Sequence, residues 1–393
     1  MGDSSLRTLL PVYGFLLLWG VSWTASINGP VLPLYVRSLG IEVSAWSVLL
    51  VSQWAGIALS EWVWGAMADR LDWRALIAAS MICLGILLPL YTLSSSVPYL
   101  AVLQFLSGVF AAAMGPATRS VVSRSAPTKL LGLSMSLWWV FLTLGKAVGP
   151  LAGSYVSQLS SFRNSFYLSS ILCLISAVAV PIMFHKKSRL NPSADLQKMP
   201  GMVAGVRALM SMRFVRVVFI MAAFAFVEVS LMTGYLPIYA SEQVGISTVE
   251  VGVLVSAAYA AQLIAAPFLG FLSDRVGRKA VISAGFVLSC LAFPCYLLVR
   301  SYFQLLLVSL AVSVCISANS MLLAMLSDVA PMRLRGTAMG TYGTFEDLGS
   351  LIGPLVYGFV WNAYGPALIF VAASAIQIPG ILLFLVFTRR PQQ

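Results

Sequence analysis

Four charged residues lie deep inside long apolar stretches: Lys146, Glu228, Glu346 and Asp347. Each falls roughly ten to fifteen residues into its stretch, which is ~15–22 Å along a helix rising 1.5 Å per residue. That is the middle of a bilayer. A charge is costly there, so such a residue is a functional candidate by default. Three acids and one base leave an acidic surplus. Lys146 can pair with one carboxylate. Another, held away from water, takes up a proton and releases it when its side opens to solvent. That is the chemistry of a proton carrier. The competing reading is a satisfied charge network with a purely structural role. Glu61 is a fifth intramembrane charge, one turn before Gly65, and reads as the partner of a nearby arginine close to the membrane surface.

Other chemistries are missing. The chain has one histidine, His185, and no metal-ligand cluster, G-x-S-x-G elbow, phosphate-binding loop or paired acid and base. Its cysteines, Cys83, Cys173, Cys290, Cys295 and Cys315, all sit in apolar runs and form no C-x-x-C pair. They read as buried free thiols. No catalytic residue, metal or cofactor is expected, and the chain is not read as an enzyme.

The elements that hold these charges are membrane spans. Of 393 residues, 60% are apolar and 9% charged, against about 25% charged in a soluble domain. A bilayer-crossing helix needs about 20 mainly apolar residues. Twelve segments qualify: 9–36, 45–67, 75–94, 99–121, 132–157, 165–185, 214–240, 249–271, 280–299, 303–327, 337–361 and 366–387. The first is too long for a signal-peptide core and is read as a retained span. With both termini in the cytoplasm, Arg37, Arg163 and Arg300 are the only Lys or Arg on the outer side, and Lys146 is the only one within a span. All the others face inward, as the positive-inside rule requires. The net charge of +11 is therefore a topology signal, and nucleic acid is not an expected partner. The lipid bilayer is, and the protein is expected in the cell (inner) membrane as a multi-pass monomer.

The longest polar stretch, 186–213, divides an N-terminal six-helix bundle (1–185) from a C-terminal one (214–393). Its end, 202–214, reads either as a short basic helix on the inner leaflet or as a solvated connector. The halves repeat each other. Shifting the chain by 204 residues makes 11 of the 30 positions in 126–155 identical to 330–359, and pairs Leu32-Pro33-x-Tyr35 with Leu236-Pro237-x-Tyr239. Two halves of the same orientation predict parallel repeats about an axis along the membrane normal.

Two motifs recur with the repeat. GAMADRLDWRAL (Gly65 to Leu76) pairs with GFLSDRVGRKAV (Gly270 to Val281). Both resemble the loop signature G-x-x-x-D-R-x-G-R-[RK] of the major facilitator superfamily. The second copy matches in full through Gly270, Asp274, Arg275, Gly277, Arg278 and Lys279. The first keeps Gly65, Asp69, Arg70 and Arg74 but has Asp72 and Trp73 inside. The leading glycines permit close helix approach, and Asp69 and Asp274 can sit against the N-terminus of a helix in the opposite half. Together these residues are read as a cytoplasmic latch. The second motif, Gly145-Lys146-Ala-Val-Gly149-Pro150-Leu-Ala-Gly153-Ser154, resembles the G-x-x-x-G-P-x-x-G-[GS] run of that superfamily's drug:proton antiporters. Gly349, Gly353 and Pro354 repeat part of it. Small residues four apart give a flat packing face and proline permits a bend, so the motif is read as a hinge between halves. A departure stands in span 4, where those exporters often carry R-x-x-x-G: here Gln104 stands before Gly108.

The resemblance covers essentially the whole chain. It implies an all-α fold of twelve transmembrane helices in two six-helix repeats, with spans 1, 4, 7 and 10 lining a central cavity. Glu228, on span 7, is then the first proton-coupling candidate, with Thr24 at the matching place in span 1. Trp23, Asn28, Gln104, Tyr235 and Asn319 become the substrate-cavity candidates. An aromatic cavity holding an acid suits lipophilic cations and other amphipathic molecules. The implied function is secondary transport by alternating access, with proton-coupled efflux of amphipathic or drug-like molecules. The alternative is proton-coupled import of a sugar or organic anion, which Lys146 would suit.

Overall fold

The structure is a computed structural model that describes residues 3–125, 131–183, 202–331 and 334–387. The described residues form helices and short connections. In chain order they are α1 (Asp3–Ala25), α2 (Val31–Ser38), α3 (Val43–Arg70), α4 (Trp73–Leu90), α5 (Val97–Ala111), α6 (Met114–Ser125), α7 (Leu131–Leu159) and α8 (Phe162–Met183). After the polar stretch come α9 (Met202–Ser211), α10 (Arg213–Gly234), α11 (Leu236–Tyr239), α12 (Thr248–Val276) and α13 (Arg278–Ala292). The chain ends in α14 (Tyr302–Ser317), α15 (Ser320–Val329), α16 (Arg335–Tyr364) and α17 (Leu368–Phe387).

Among the described residues, nine helical segments are long and apolar enough to cross a membrane. The other three expected spans differ in an instructive way. Spans 1 and 4 are broken. Apolar helix Leu10–Ala25 is followed by α2 after a short gap, and Val97–Ala111 is followed by α6. Span 11 is α16, a helix of 30 residues whose sequence carries Arg335, Glu346 and Asp347. Spans 7 and 10 are broken too, at Tyr235 and at Ala318–Asn319. Span 1 breaks for a local reason. Pro30 lacks an N–H to continue the ladder, and the Asn28 N–H reaches back to the Trp23 carbonyl at 2.9 Å.

The chain clusters into two compact units. The first is Met1–Asn191 with Ala240–Ala260, and the second is Pro192–Tyr239 with Ala261–Gln393. The expected linker lies outside the described residues up to 201. Its end is α9, which docks within the second unit: Leu209 is buried in a core cluster, and a Cβ on Gly205 would lie 3.2 Å from Thr337.

Glycine sets the tightest helix pairs, because without a Cβ two backbones can touch. In the first unit a Cβ on Gly20 would strike the Leu142 carbonyl oxygen, and Cβ atoms on Gly145 and Gly153 would strike Leu17 and Ala25. Those contacts join α1 to α7. Gly56 and Gly108 join α3 to α5 in the same way, and Gly349 and Gly353 join α16 to α10 in the second unit. The expected hinge glycines thus supply contacts inside each unit. These motif glycines face a helix of their own unit, where they act as packing points. Other atoms of the motif meet the segment 240–260 inside the first unit. A Cβ on Gly252 would crowd Ser154 and the Pro150 carbonyl, the Leu151 N–H donates to Ser256 Oγ at 3.2 Å, and Arg37 pairs with Glu242.

The two loop motifs enter their next helix by different means. Asp72 is extended and its side chain accepts from the Arg74 N–H, capping α4. At the same place before α13 stands Gly277, with φ 92°, a conformation open chiefly to glycine. The departure of the first copy is thus a change of capping chemistry.

Candidate functional site

Glu228 sits on α10 inside the second unit and is 2% exposed. Two polar side chains face its carboxyl, Ser289 of α13 and Gln377 of α17, both nearly inaccessible to solvent. The Ser289 hydroxyl lies 2.9 Å from Gln377 Oε1 and 3.1 Å from the Phe286 carbonyl oxygen. Glu228 Oε1 and Gln377 Nε2 each lack a hydrogen-bond partner. The titratable groups that feel Glu228 are Cys290, Cys315, Tyr296 and Tyr357. All four are neutral at ordinary pH. Neither Lys146, Glu346 nor Asp347 is among the groups acting on the carboxyl.

The other deep charges stand elsewhere. Glu346 and Asp347 are neighbours on α16; Asp347 is buried and Glu346 half-buried beside Tyr342. Lys146, on α7 in the first unit, holds Nζ 5.6 Å from the Trp139 ring centroid. Glu61 on α3 has its Oε1 4.0 Å from where a Cβ on Gly115 would be.

Several cavity candidates serve their own unit. Gln104 is fully buried and its Oε1 accepts from the Tyr91 hydroxyl at 3.1 Å. Tyr235 is fully buried and its hydroxyl donates to the Pro354 carbonyl at 2.7 Å. Trp23 lines a small cavity of the first unit with Trp19, Ser22, Ser26, Leu84 and Cys173. Asn28 and Asn319, both half-buried, mark helix breaks, and Asn319 Nδ2 has no partner.

The latch residues spread similarly. The side chains of Asp69 and Arg70 lie outside the described residues. Arg74 follows its cap Asp72, Arg275 stacks over Phe271 at 4.2 Å, and Arg278 pairs with Asp328 at 2.7 Å. Asp274 is exposed, and Lys279 is half-buried at the start of α13. Among the described residues, a Cβ on Gly65 would meet nothing within 4 Å, and one on Gly270 only the end of Met321 at 3.9 Å.

The repeat also needs one correction. Shifting by 204 sets Thr24 opposite Glu228, but packing does not. In the first unit a Cβ on Gly149 would face the Val21 carbonyl and the Thr24 hydroxyl. In the second, one on Gly353 would face the Val227 carbonyl and the Ser230 hydroxyl. Glu228 is thus matched by Ser22. The register slips because the gap between α1 and α2 is longer than that between α10 and α11. Ser170 donates to the Gly85 carbonyl and Ser374 to the Cys290 carbonyl. That pairing sets Leu84 opposite Ser289 and Cys173 opposite Gln377. Sequence reasoning missed Ser289 and Gln377. The available signal was a lone amide in the long apolar run of α17.

Comparison with known proteins places this architecture. The family model "Major Facilitator Superfamily" matches residues 14–247 and 218–393. The multidrug resistance protein MdtG of Citrobacter koseri is 24% identical over 90% of this chain and 88% of its own. The MFS-type transporter MJ1560 of Methanocaldococcus jannaschii is 24% identical over 94% and 97%. Among solved structures, a bacterial homologue of the human lysosomal transporter Spinster superposes with a TM-score of 0.79 at 13% identity, covering 98% of this chain and 96% of that one. The nucleoside transporter NupG gives a TM-score of 0.76 at 14% identity, covering 98% and 99%. At such identity the superpositions speak for the fold alone. With a family model matching nearly its whole length, this polytopic membrane protein is a transporter rather than an enzyme, and it belongs to the major facilitator superfamily.

Proposed function

We propose that the chain exports small amphipathic or drug-like molecules in exchange for protons, by alternating access between two six-span halves, 1–185 and 214–393, joined by the linker 186–213. The observation that carries the coupling is Glu228: a carboxyl buried in the second unit, with uncharged groups around it. A carboxyl removed from water is cheaper neutral than charged, so it can carry one proton per cycle. The relatives named for multidrug resistance and the span-5 motif support the export direction. The inward bias of Lys and Arg supports cytoplasmic termini in an inner membrane. The protein works as a monomer on this reading.

Import of a sugar or organic anion by symport is the second reading, favoured by the deep Lys146 beside Trp139. Purified protein in liposomes, given an imposed pH gradient and a panel of lipophilic cations, sugars and organic anions, tests both. Export predicts cation movement against the proton gradient. Anion or sugar uptake with the gradient favours symport. Movement of none of them under a gradient refutes both.

A further inference from the structure

We infer that Glu228, Gln377 and Ser289 form a hydrogen-bond switch in which the Gln377 side-chain amide turns over when Glu228 gains or loses its proton. This rests on the reading of Glu228 as the proton carrier. It adds positioning residues on two other helices, α13 and α17.

The inference starts from an unfinished network. Buried polar groups are almost always paired, yet this cluster holds an acceptor without a donor, Glu228 Oε1, and a donor without an acceptor, Gln377 Nε2. They belong to side chains that face each other. The Ser289 hydroxyl has one proton and two acceptors in reach, Gln377 Oε1 at 2.9 Å and the Phe286 carbonyl oxygen at 3.1 Å.

Two arrangements complete the network. With Glu228 ionised, Ser289 donates to Gln377 Oε1 and Gln377 Nε2 donates to the carboxylate. With Glu228 protonated, the carboxyl needs an acceptor, and the amide turns half over. The carboxyl O–H donates to Gln377 Oε1, Nε2–H donates to Ser289 Oγ, and the Ser289 hydroxyl turns to donate to the Phe286 carbonyl. In each state all three side chains have at least one partner. An amide presents both a donor and an acceptor edge, so glutamine can serve both states where a leucine could not. The charge change on α10 is thereby written into hydrogen bonds on α13 and α17.

The repeat supplies a comparison within the chain. The matching place in the first unit holds Ser22, Leu84 and Cys173, with the Ser22 hydroxyl donating to the Ser169 carbonyl at 3.0 Å and lying 2.9 Å from Cys173 Sγ. That trio packs with no acid and no amide, so the fold does not require them. The groups around Glu228 from α13, α14, α16 and the 3-10 turn Phe293–Leu298 are Cys290, Cys315, Tyr357 and Tyr296. Among the described residues, no Lys or Arg is one of the groups acting on Glu228.

Infrared difference spectroscopy of the purified full chain in liposomes, titrated with pH, tests this. A carboxyl C=O band that is absent in Glu228→Gln identifies Glu228. A side-chain amide band, shifted by labelled glutamine and absent in Gln377→Met, identifies Gln377. The expected result is that both bands change with one midpoint. In Gln377→Met and Ser289→Ala the carboxyl band should titrate at a proton concentration at least tenfold different from wild type. Ser289→Ala keeps the test open if Gln377→Met fails to fold. A carboxyl band that titrates while the amide band stays still, with both variants at the wild-type midpoint, overturns the switch and leaves Glu228 as carrier. Absence of any titrating Glu228 band removes the carrier reading itself.

Discussion

Ser22 and Glu228 occupy the same place in the two repeats, one facing Cys173 and the other facing Gln377. The first unit fills that place with a hydroxyl satisfied by a backbone carbonyl. The second fills it with an acid, at a cost the bilayer makes large. The two halves therefore share a fold but not this buried charge.

Glu228→Gln keeps the shape and removes the exchangeable proton. Gradient-driven transport in liposomes is expected to stop, with substrate binding retained and passive exchange between compartments possible. Full gradient-driven transport by this variant would move the carrier role to Glu346 or Asp347.

Gly149→Val places a branched side chain against Val21 and Thr24 of α1. Forcing methyl groups into a packed contact costs about 1–3 kcal/mol, more where backbone must yield. The variant should melt at lower temperature in detergent and transport poorly. An unchanged melting temperature would contradict the α1–α7 contact.

Gly277 and Asp72 should respond oppositely to small substitutions. At φ 92° a Cβ is strained, so Gly277→Ala should cost about 1–3 kcal/mol. Asp72→Gly should cost only about a few tenths of a kcal/mol, since glycine is itself a tolerated cap. Thermal unfolding of both variants side by side reads the contrast, and equal losses would sink it.

Tyr235→Phe deletes the hydroxyl that donates to the Pro354 carbonyl. The expected loss is about 1 kcal/mol of stability, with apparent substrate affinity unchanged. A large fall in affinity at unchanged melting temperature would instead return Tyr235 to the substrate cavity.

Asp69→Asn tests the latch. If Asp69 holds a helix N-terminus through its charge, the neutral variant should fold but favour the cytoplasm-open state. Spin labels across the cytoplasmic face would report longer distances, and unchanged distances with unchanged transport would remove the role.

Much of this protein is legible in one dimension. Bilayer thickness imposes a length on every span, and the cost of lipid-exposed charge leaves Lys146, Glu228, Glu346 and Asp347 conspicuous in apolar runs. The duplicated loop motif and the repeated Gly-Pro runs carry the family and the fold, because backbone approach and helix entry depend on local residues. What the chain could not reveal is which side chains a helix rotation brings together. Glu228 meets Ser289 and Gln377 from two distant helices, and no spacing rule connects residues whose only link is packing. Register was hidden for the same reason. An alignment slides freely through the gap between α1 and α2, so it pairs Thr24 with Glu228. The Gly149 and Gly353 contacts admit only one placement of the helices, and that placement sets Ser22 there instead.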